Sequence, residues 1–501
     1  MKNLVDAFLV SIGTSIKKHK EDFKMENGLN KKYGLATAIS MVVGIVIGSG
    51  IFFKAQNILN ITNGNMPLGI LAWIIGGLIM IICAHCFSIL ASKYTKVNGI
   101  VDYAEETCGK KYAYTIGWYV TAIYTPCITS VLAWVSARYT LVIFGLNDPT
   151  TGMCLALSGL YLIISYAINT LSPLIAGKVQ VSTTIIKLIP IVLMAIVGTI
   201  FGLVSHTGAN GTSILISNFN TMHNSNLSAL FGAVVATAFA YEGWILATTI
   251  NSELEDEKKN LPKALILGTL IVILAYIFYY IGVAGGATVD SLMNEGATIA
   301  FKNVFGTIGG TILNIMIAVS CLGTLNGLML SCIRNMYSLA SRGQGIKPEV
   351  FKQIDSTTNI PVNSGIIGLL LCAIWLFYFF IANLDTALVA NYSAETANGL
   401  VKLLGTLNPE TNMYQVGWFA FDSSELPIVA LYAMYIPIFL KMFKMNDLST
   451  IKRVVMPSLG IIASAFMIIA AIYSHKFGVL YFLIVTILIM LIGNKFYRKE
   501  A

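Results

Sequence analysis

The sequence predicts an all-α polytopic membrane protein of twelve transmembrane helices. They are arranged as a 5+5 inverted repeat, with broken helices 1 and 6 plus two extra C-terminal helices. Three observations carry this expectation. The 501 residues are 56% hydrophobic and only 11% charged, with a mean hydropathy of +0.76, whereas soluble domains carry about 25% charged residues. Apolar runs of membrane-spanning length recur from Tyr33 to Asn494. The first and sixth of those runs contain residues that a continuous membrane helix has no use for.

Windows of about 20 apolar residues place the spans near 34–59, 67–91, 115–144, 153–171, 179–203, 227–251, 263–287, 309–338, 361–382, 424–442, 454–473 and 477–494. Residues 1–33 then form an N-terminal tail. Residues 34–203 hold helices 1–5, the first repeat. Residues 227–442 hold helices 6–10, the second repeat with an outer insertion at 383–423. Residues 454–494 hold helices 11–12. Basic residues sort the loops. The tail carries Lys2, Lys17, Lys18, Lys20, Lys24, Lys31 and Lys32, while the opposite side shows Lys54, Lys302, Lys402 and Lys476. The positive-inside rule therefore puts both termini in the cytoplasm of a multi-pass cell-membrane protein. The apolar stretch 4–16 lacks a small-residue cleavage site before Lys17-Lys18-His19-Lys20 and reads as retained tail, a short amphipathic helix on the bilayer surface. Segment 98–112 reads as a second such helix, and Ala387–Gly405 within the insertion as an outer helix.

The net charge of +8 is dispersed over short loops, so nucleic acid is not implied. The eight cysteines are scattered, most of them inside apolar segments, and no disulfide framework follows. Cys83-Ala84-His85-Cys86 has a metal-like spacing without a second pair and reads as helix packing; no metal or other cofactor is expected. An intramembrane enzyme needs a constellation such as H-E-x-x-H, and His85 has no such partner. A channel needs a selectivity ring or an oligomeric pore, which a pair of broken helices suits poorly. Nothing in the sequence calls for a partner subunit.

The first span reads Gly44-Ile45-Val46-Ile47-Gly48-Ser49-Gly50-Ile51-Phe52-Phe53 at its centre. Gly48-Ser49-Gly50 costs roughly 2–3 kcal/mol of helix propensity relative to alanine. Gly44 and Gly48 form a G-x-x-x-G packing face, but packing does not explain Ser49-Gly50. Unwound backbone is tolerated at membrane depth only where it is buried in protein or lines a cavity. The sixth span carries Phe239-Ala240-Tyr241-Glu242-Gly243-Trp244. A charge at mid-membrane costs about 2.5–3.5 kcal/mol and marks a pathway or site, unless it is a structural pair with a neighbouring helix. Breaks at corresponding positions of two repeats mark a transporter's binding site. Half-helix N-termini favour an anion and freed carbonyls a cation, so a zwitterionic amino acid suits both. Its carboxylate is expected on N–H groups around Gly48, Ser49, Gly50 and Ile51, and its ammonium on carbonyls near Ile47, Phe239 and Ala240, with Glu242 and Gly243 beside them.

Gly48-Ser49-Gly50-Ile51-Phe52, the sixth-span motif at 239–244 and Ser320-Cys321-Leu322-Gly323-Thr324-Leu325-Asn326-Gly327 together resemble the amino acid–polyamine–organocation superfamily, and most of all its L-type-like bacterial amino-acid permeases. The resemblance runs through 34–381 and resumes from 424; the insertion departs from it. It implies the LeuT-like fold, an amino-acid substrate and Phe239 as an aromatic gate. It also implies that Lys187, in the fifth span, replaces a sodium ion by bridging first-helix carbonyls near Gly44 and Ile45 to Ser320 and Thr324. A fixed positive charge disfavours a cation at the same place, so sodium-independent transport is expected. Exchange of one amino acid for another and proton coupling through Lys187 or Glu242 both stay open. Polyamines or other organic cations are the alternative substrate class, because a pocket carboxylate favours a second positive charge.

Overall fold

A computed structural model describes residues 34–94, 99–146, 152–206, 211–220, 227–245, 254–384, 389–393, 406–408, 413–417 and 419–499. The tail helix expected before residue 34 and most of the insertion lie outside them. Among the described residues, nine helices are long and apolar enough to cross a membrane, or ten when the bent pair Leu35–Val46 and Gly50–Ile61 is one span. Two shorter apolar helices, Leu227–Ala240 and Leu426–Met442, fall below that length. A count of twelve thus rests on more than helix length.

The bent pair, α1 (Leu35–Val46) and α2 (Gly50–Ile61), is followed by α3 (Met66–Lys93) and the short α4 (Ile100–Cys108). Helix α4 lies within segment 98–112, where a short helix was expected, and is set apart from the next span by Gly109 at φ +90°. Helix α5 (Lys110–Ile143) contains a π-helical turn at Val120–Tyr124. Pro126 has no N–H to give the carbonyl of Ala122, and Trp375 Nε1 donates to it instead at 3.0 Å. Helix α6 (Gly152–Leu171) precedes α7 (Pro173–Leu193), which passes through a π-turn, Met194–Gly198, into α8 (Thr199–Val204). After α9 (Ile214–Asn220) comes α10 (Leu227–Ala240), the described part of the sixth span.

The second half continues with α11 (Glu257–Gly286), α12 (Val289–Glu295) and α13 (Ala297–Ser341), which turns at Gly306. Helix α14 (Pro348–Phe351), α15 (Val362–Phe379), α16 (Leu426–Met442), α17 (Ile451–His475) and α18 (Phe477–Asn494) complete it. Helices α8 and α11 approach to backbone contact: a Cβ on Gly202 would lie 2.3 Å from Gly285 Cα. Small residues permit this closeness, which drives helix association where lipid supplies no hydrophobic force. The face carrying Gly34 is the near face. Arg498 docks there by a reciprocal pair of hydrogen bonds with the Gln344 side chain, at 2.7 and 2.9 Å.

The outer helix expected over Ala387–Gly405 is corrected only at its start; residues 394–405 lie outside those described. Val389–Ser393 is a strand, β1, in an antiparallel sheet of order β1-β3-β2 with β2 (Thr406–Asn408) and β3 (Met413–Gly417). The register sets Tyr392 opposite Tyr414 and Ala390 opposite Val416. Tyr392, Tyr414 and Val416 are of the aromatic and β-branched types that favour strands, and the partner strand lies outside the run in which a helix was expected. The Cys83–Cys86 segment packs helices: the Cys86 thiol donates to the carbonyl of Met456 at 3.2 Å, and Gly460 closes on its sulfur.

Candidate functional site

The two interruptions face each other. Helix α1 stops at Val46, Ile47 is extended (φ −67°, ψ 100°), and Ser49 opens α2 at a bend of 47°. Helix α10 stops at Ala240, and Gly243 takes φ +106°, a left-handed geometry open to glycine. Gly50 rests directly on the other break: a Cβ there would lie 2.4 Å from Ala240 Cα and 3.1 Å from the Phe239 carbonyl oxygen. Gly243 sits against the carbonyl of Ile45 in the same manner, at 3.2 Å from a built Cβ. The Tyr276 hydroxyl from α11 spans both breaks, 3.1 Å from the Val46 carbonyl oxygen and 3.0 Å from that of Ala240. The first N–H groups of α2 have no partner within their own helix, and they converge here on the positive end of its dipole.

A cavity of about 280 Å3 opens between these elements. From the first break it is lined by Ile45, Val46, Gly48, Ser49 and Gly50, and from the second by Phe239, Glu242 and Gly243. Tyr124, Ile128 and Leu132 of α5 and Thr324, Gly327, Ser331 and Arg334 of α13 form much of the remaining wall. Ile47, Ile51 and Ala240, expected at the ligand, are buried behind this lining at 1%, 0% and 1% exposure. Their side chains serve packing; only their backbone groups reach toward the break. Cys127, neighbour to Ile128, is likewise buried outside the lining. Glu242 is bonded to the Tyr124 hydroxyl. The Ser49 side chain is hydrogen-bonded to Cys321.

Aromatic rings roof the cavity on the far side. Phe239 meets Phe53 edge-on at 6.1 Å, and Phe53 meets Trp134 at 5.4 Å. Toward the near face the lining ends at Arg334, whose residue is exposed. The sequence also offers Glu253, in the charged segment 252–259, as a cytoplasmic latch partner of Arg334, and Glu253 lies outside the described residues.

Lys187 is buried at 1% exposure and donates to the Gly44 carbonyl. Among the described residues its ammonium forms no hydrogen bond to Ser320 or Thr324: Ser320 Oγ has no partner, and Thr324 Oγ1 donates to the Ser320 carbonyl at 3.1 Å. Thr324 stands instead against Gly48, 3.2 Å from a Cβ built there, and lines the cavity. Ile45, expected beside Lys187, also lines the cavity.

Sequence reasoning missed Tyr124 and Tyr276. A signal existed for each. Tyr124 precedes the mid-span Pro126 that disturbs its helix, and Tyr276, Tyr279 and Tyr280 crowd one helical face, each needing a partner for its hydroxyl. No group of three or more His, Cys, Asp or Glu able to hold a metal occurs among the described residues.

The profile of the family described as "Amino acid permease" matches residues 33–493. The chain is 31% identical to the serine/threonine exchanger SteT of Bacillus subtilis (strain 168) over 65% of its own length and 71% of that protein. It is 26% identical to the human (Homo sapiens) b(0,+)-type amino acid transporter 1, over 70% of this chain and 72% of that one. Against the Homo sapiens large neutral amino acids transporter small subunit 2 it is 25% identical, over 63% and 58%. The crystal structure of MhsT in complex with L-phenylalanine superposes with a TM-score of 0.54 at 14% identity, covering 89% of this chain and 100% of that one, a likeness of fold. The breaks and their motifs lie within the matched stretch, and the chain belongs to the amino acid permease family of the amino acid–polyamine–organocation superfamily.

Proposed function

We propose that this protein is a sodium-independent amino-acid transporter of the cell membrane. It works by alternating access around the cavity between its two broken helices. One observation carries the reading: Gly50 at the start of α2 seats on Ala240 beneath Phe239, so helix-start amides and helix-end carbonyls meet in one small cavity. The substrate carboxylate binds the amides at the start of α2, around Ser49 and Gly50. Its ammonium binds backbone carbonyls at the ends of α1 and α10, whose Val46 and Ala240 carbonyls already accept from Tyr276 and keep a second lone pair. The transporters it resembles, among them an exchanger, support the amino-acid class.

Lys187 holds the end of α1 by its charge where a sodium ion would otherwise be required, which supports sodium independence. The near face is cytoplasmic, as the basic residues of the tail favour. Both termini lie there, and Leu227–Ala240 and Leu426–Met442 complete twelve spans in two repeats followed by α17 and α18.

The test is counterflow in proteoliposomes loaded with unlabelled amino acids, with sodium replaced by choline. Saturable uptake of a labelled amino acid unaffected by the replacement supports the reading; uptake that requires sodium overturns it. Glu242 with Tyr124 favours a second one, in which the side-chain end of the ligand carries a donor, a hydroxyl or an amine. Competition by serine, lysine or putrescine that exceeds competition by leucine selects it.

A further inference from the structure

A buried charge network lies beyond the aromatic roof, unused by the substrate site. Lys54 of α2 is 2% exposed and Glu425, immediately before α16, is 4% exposed, and the two form an ion pair across 371 residues of chain. Lys54 Nζ also donates to Ser424 Oγ at 3.2 Å. The second carboxylate oxygen of Glu425 lies 3.0 Å from Nε2 of His475, the last residue of α17. Asp422 fixes the turn by accepting from the Ser424 hydroxyl at 2.6 Å and from the Glu425 amide at 2.9 Å. The Lys54 ammonium stands 5.2 Å from the Phe53 ring and 5.4 Å from that of Phe239.

Taking two charges out of water costs several kcal/mol per ion, so a buried pair is a poor device for stability alone. This pair joins the second half of a broken helix to a span that follows the insertion, directly over the roof. Opening the cavity toward the far side requires α2 to leave α16, and Lys54 then leaves Glu425. We propose that Lys54, Glu425 and His475 form a far-side latch released by protonation of His475. An imidazolium opposes the neighbouring Lys54 ammonium while α2 is docked. Once α2 departs, the same imidazolium remains as the countercharge of Glu425. A neutral imidazole does neither. His475 is reachable by protons from that side, its side chain being 17% exposed. The charged groups facing it are Lys54 from α2 and Asp422 and Glu425 from the segment before α16, with Lys476 next to it in the chain. Both terms have one sign: acid on the far side favours opening.

The inference rests on the alternating-access reading, and its test works without transport. A cysteine is placed below the roof by Leu132→Cys, and a reference cysteine on the exposed surface by Lys302→Cys. Full-length protein in oriented vesicles is labelled from the far side with a membrane-impermeant methanethiosulfonate, without substrate. The rate at Leu132→Cys is divided by that at Lys302→Cys to remove the chemistry of the thiol. The ratio is expected to rise about fivefold, the lower end of typical coupling between sites, from about pH 9 to about pH 5.5, a range wide enough for a histidine that faces both a carboxylate and an ammonium. His475→Gln is expected to flatten the response, and Lys54→Gln to raise the ratio at both pH values. A flat ratio in the parent, or an unaltered rise in His475→Gln, overturns the latch. A correct labelling response without amino-acid uptake would sink the transport reading and leave the latch.

Discussion

Gly50→Ala tests whether the two breaks must touch. The added methyl carbon lies 2.4 Å from Ala240 Cα, 3.1 Å from Ala240 Cβ and 3.1 Å from the Phe239 carbonyl oxygen. Comfortable carbon–carbon separation is about 3.5–4.0 Å, so the halves must part by about 1 Å. Two of the three atoms are backbone, and no rotamer change relieves them. Overpacking of this kind costs about 1–3 kcal/mol, a factor of about 5 to 150 in an equilibrium constant. Alanine recovers part of that in helix propensity, at most about 1 kcal/mol, so overall stability changes less than ligand binding. The assay is the thermal shift of purified, monodisperse protein against a series of amino-acid concentrations, since ligand bound to the folded state raises its stability. Gly159→Ala, with nothing within 4 Å of its built Cβ, is the control and keeps the parent's affinity. Affinity in Gly50→Ala within about a factor of two of the parent, below even the smallest cost assigned to the clash, would refute the facing-break geometry.

Further outcomes follow from other contacts. Tyr276→Phe removes the donor shared by the Val46 and Ala240 carbonyls; leaving buried acceptors unsatisfied costs about 1–3 kcal/mol, read as a lowered melting temperature with weaker binding. Lys187→Ala leaves the Gly44 carbonyl without its donor and abolishes uptake in proteoliposomes, whichever of exchange or proton coupling operates. Glu242→Gln keeps the shape of the contact to Tyr124 but removes the charge; competition by lysine or putrescine falls while that by leucine holds. Outside the spans, the amides of Thr357 and Thr358 donate to Asp355 at 2.9 and 2.8 Å and hold its carboxyl below the usual value. Stability from a depressed carboxylate is present above its unfolded value and lost as pH falls through the folded one, so amide exchange at Thr357 and Thr358, corrected for intrinsic rate, quickens in acid and does so at every pH in Asp355→Ala.

The site was legible in the sequence where a residue broke a local rule. Gly48-Ser49-Gly50 and Glu242 are out of place in apolar helices, so they announce a break and a buried charge without any knowledge of partners. Tyr124, Tyr276 and Glu425 break no such rule. A tyrosine is ordinary in a membrane helix and a glutamate is ordinary at its end, and their roles come from contacts made across 118, 230 and 371 residues of chain. Lys54 gave no such signal for a related reason: counted with the outer charges, it turns inward because Glu425 waits there. The strand at Val389–Ser393 hid in a helix-like run for want of its partner, Met413–Gly417.

Two lysines flank the first break and divide its labour. On the near side Lys187, from α7, grips Gly44 two residues before α1 ends. On the far side Lys54, in the second turn of α2, grips Glu425. The cavity reaches Arg334 toward the near face while both grips hold and the roof is closed. Opening that path therefore does not require Lys187 to let go, whereas opening the far path requires Lys54 to do so. The first lysine belongs to a joint that this opening leaves in place. The second belongs to a gate, and a gate held by an ion pair opens more easily when a third charge stands ready to take the vacated place. His475 is positioned to be that charge, and at 3.0 Å from Glu425 it needs no movement to become it.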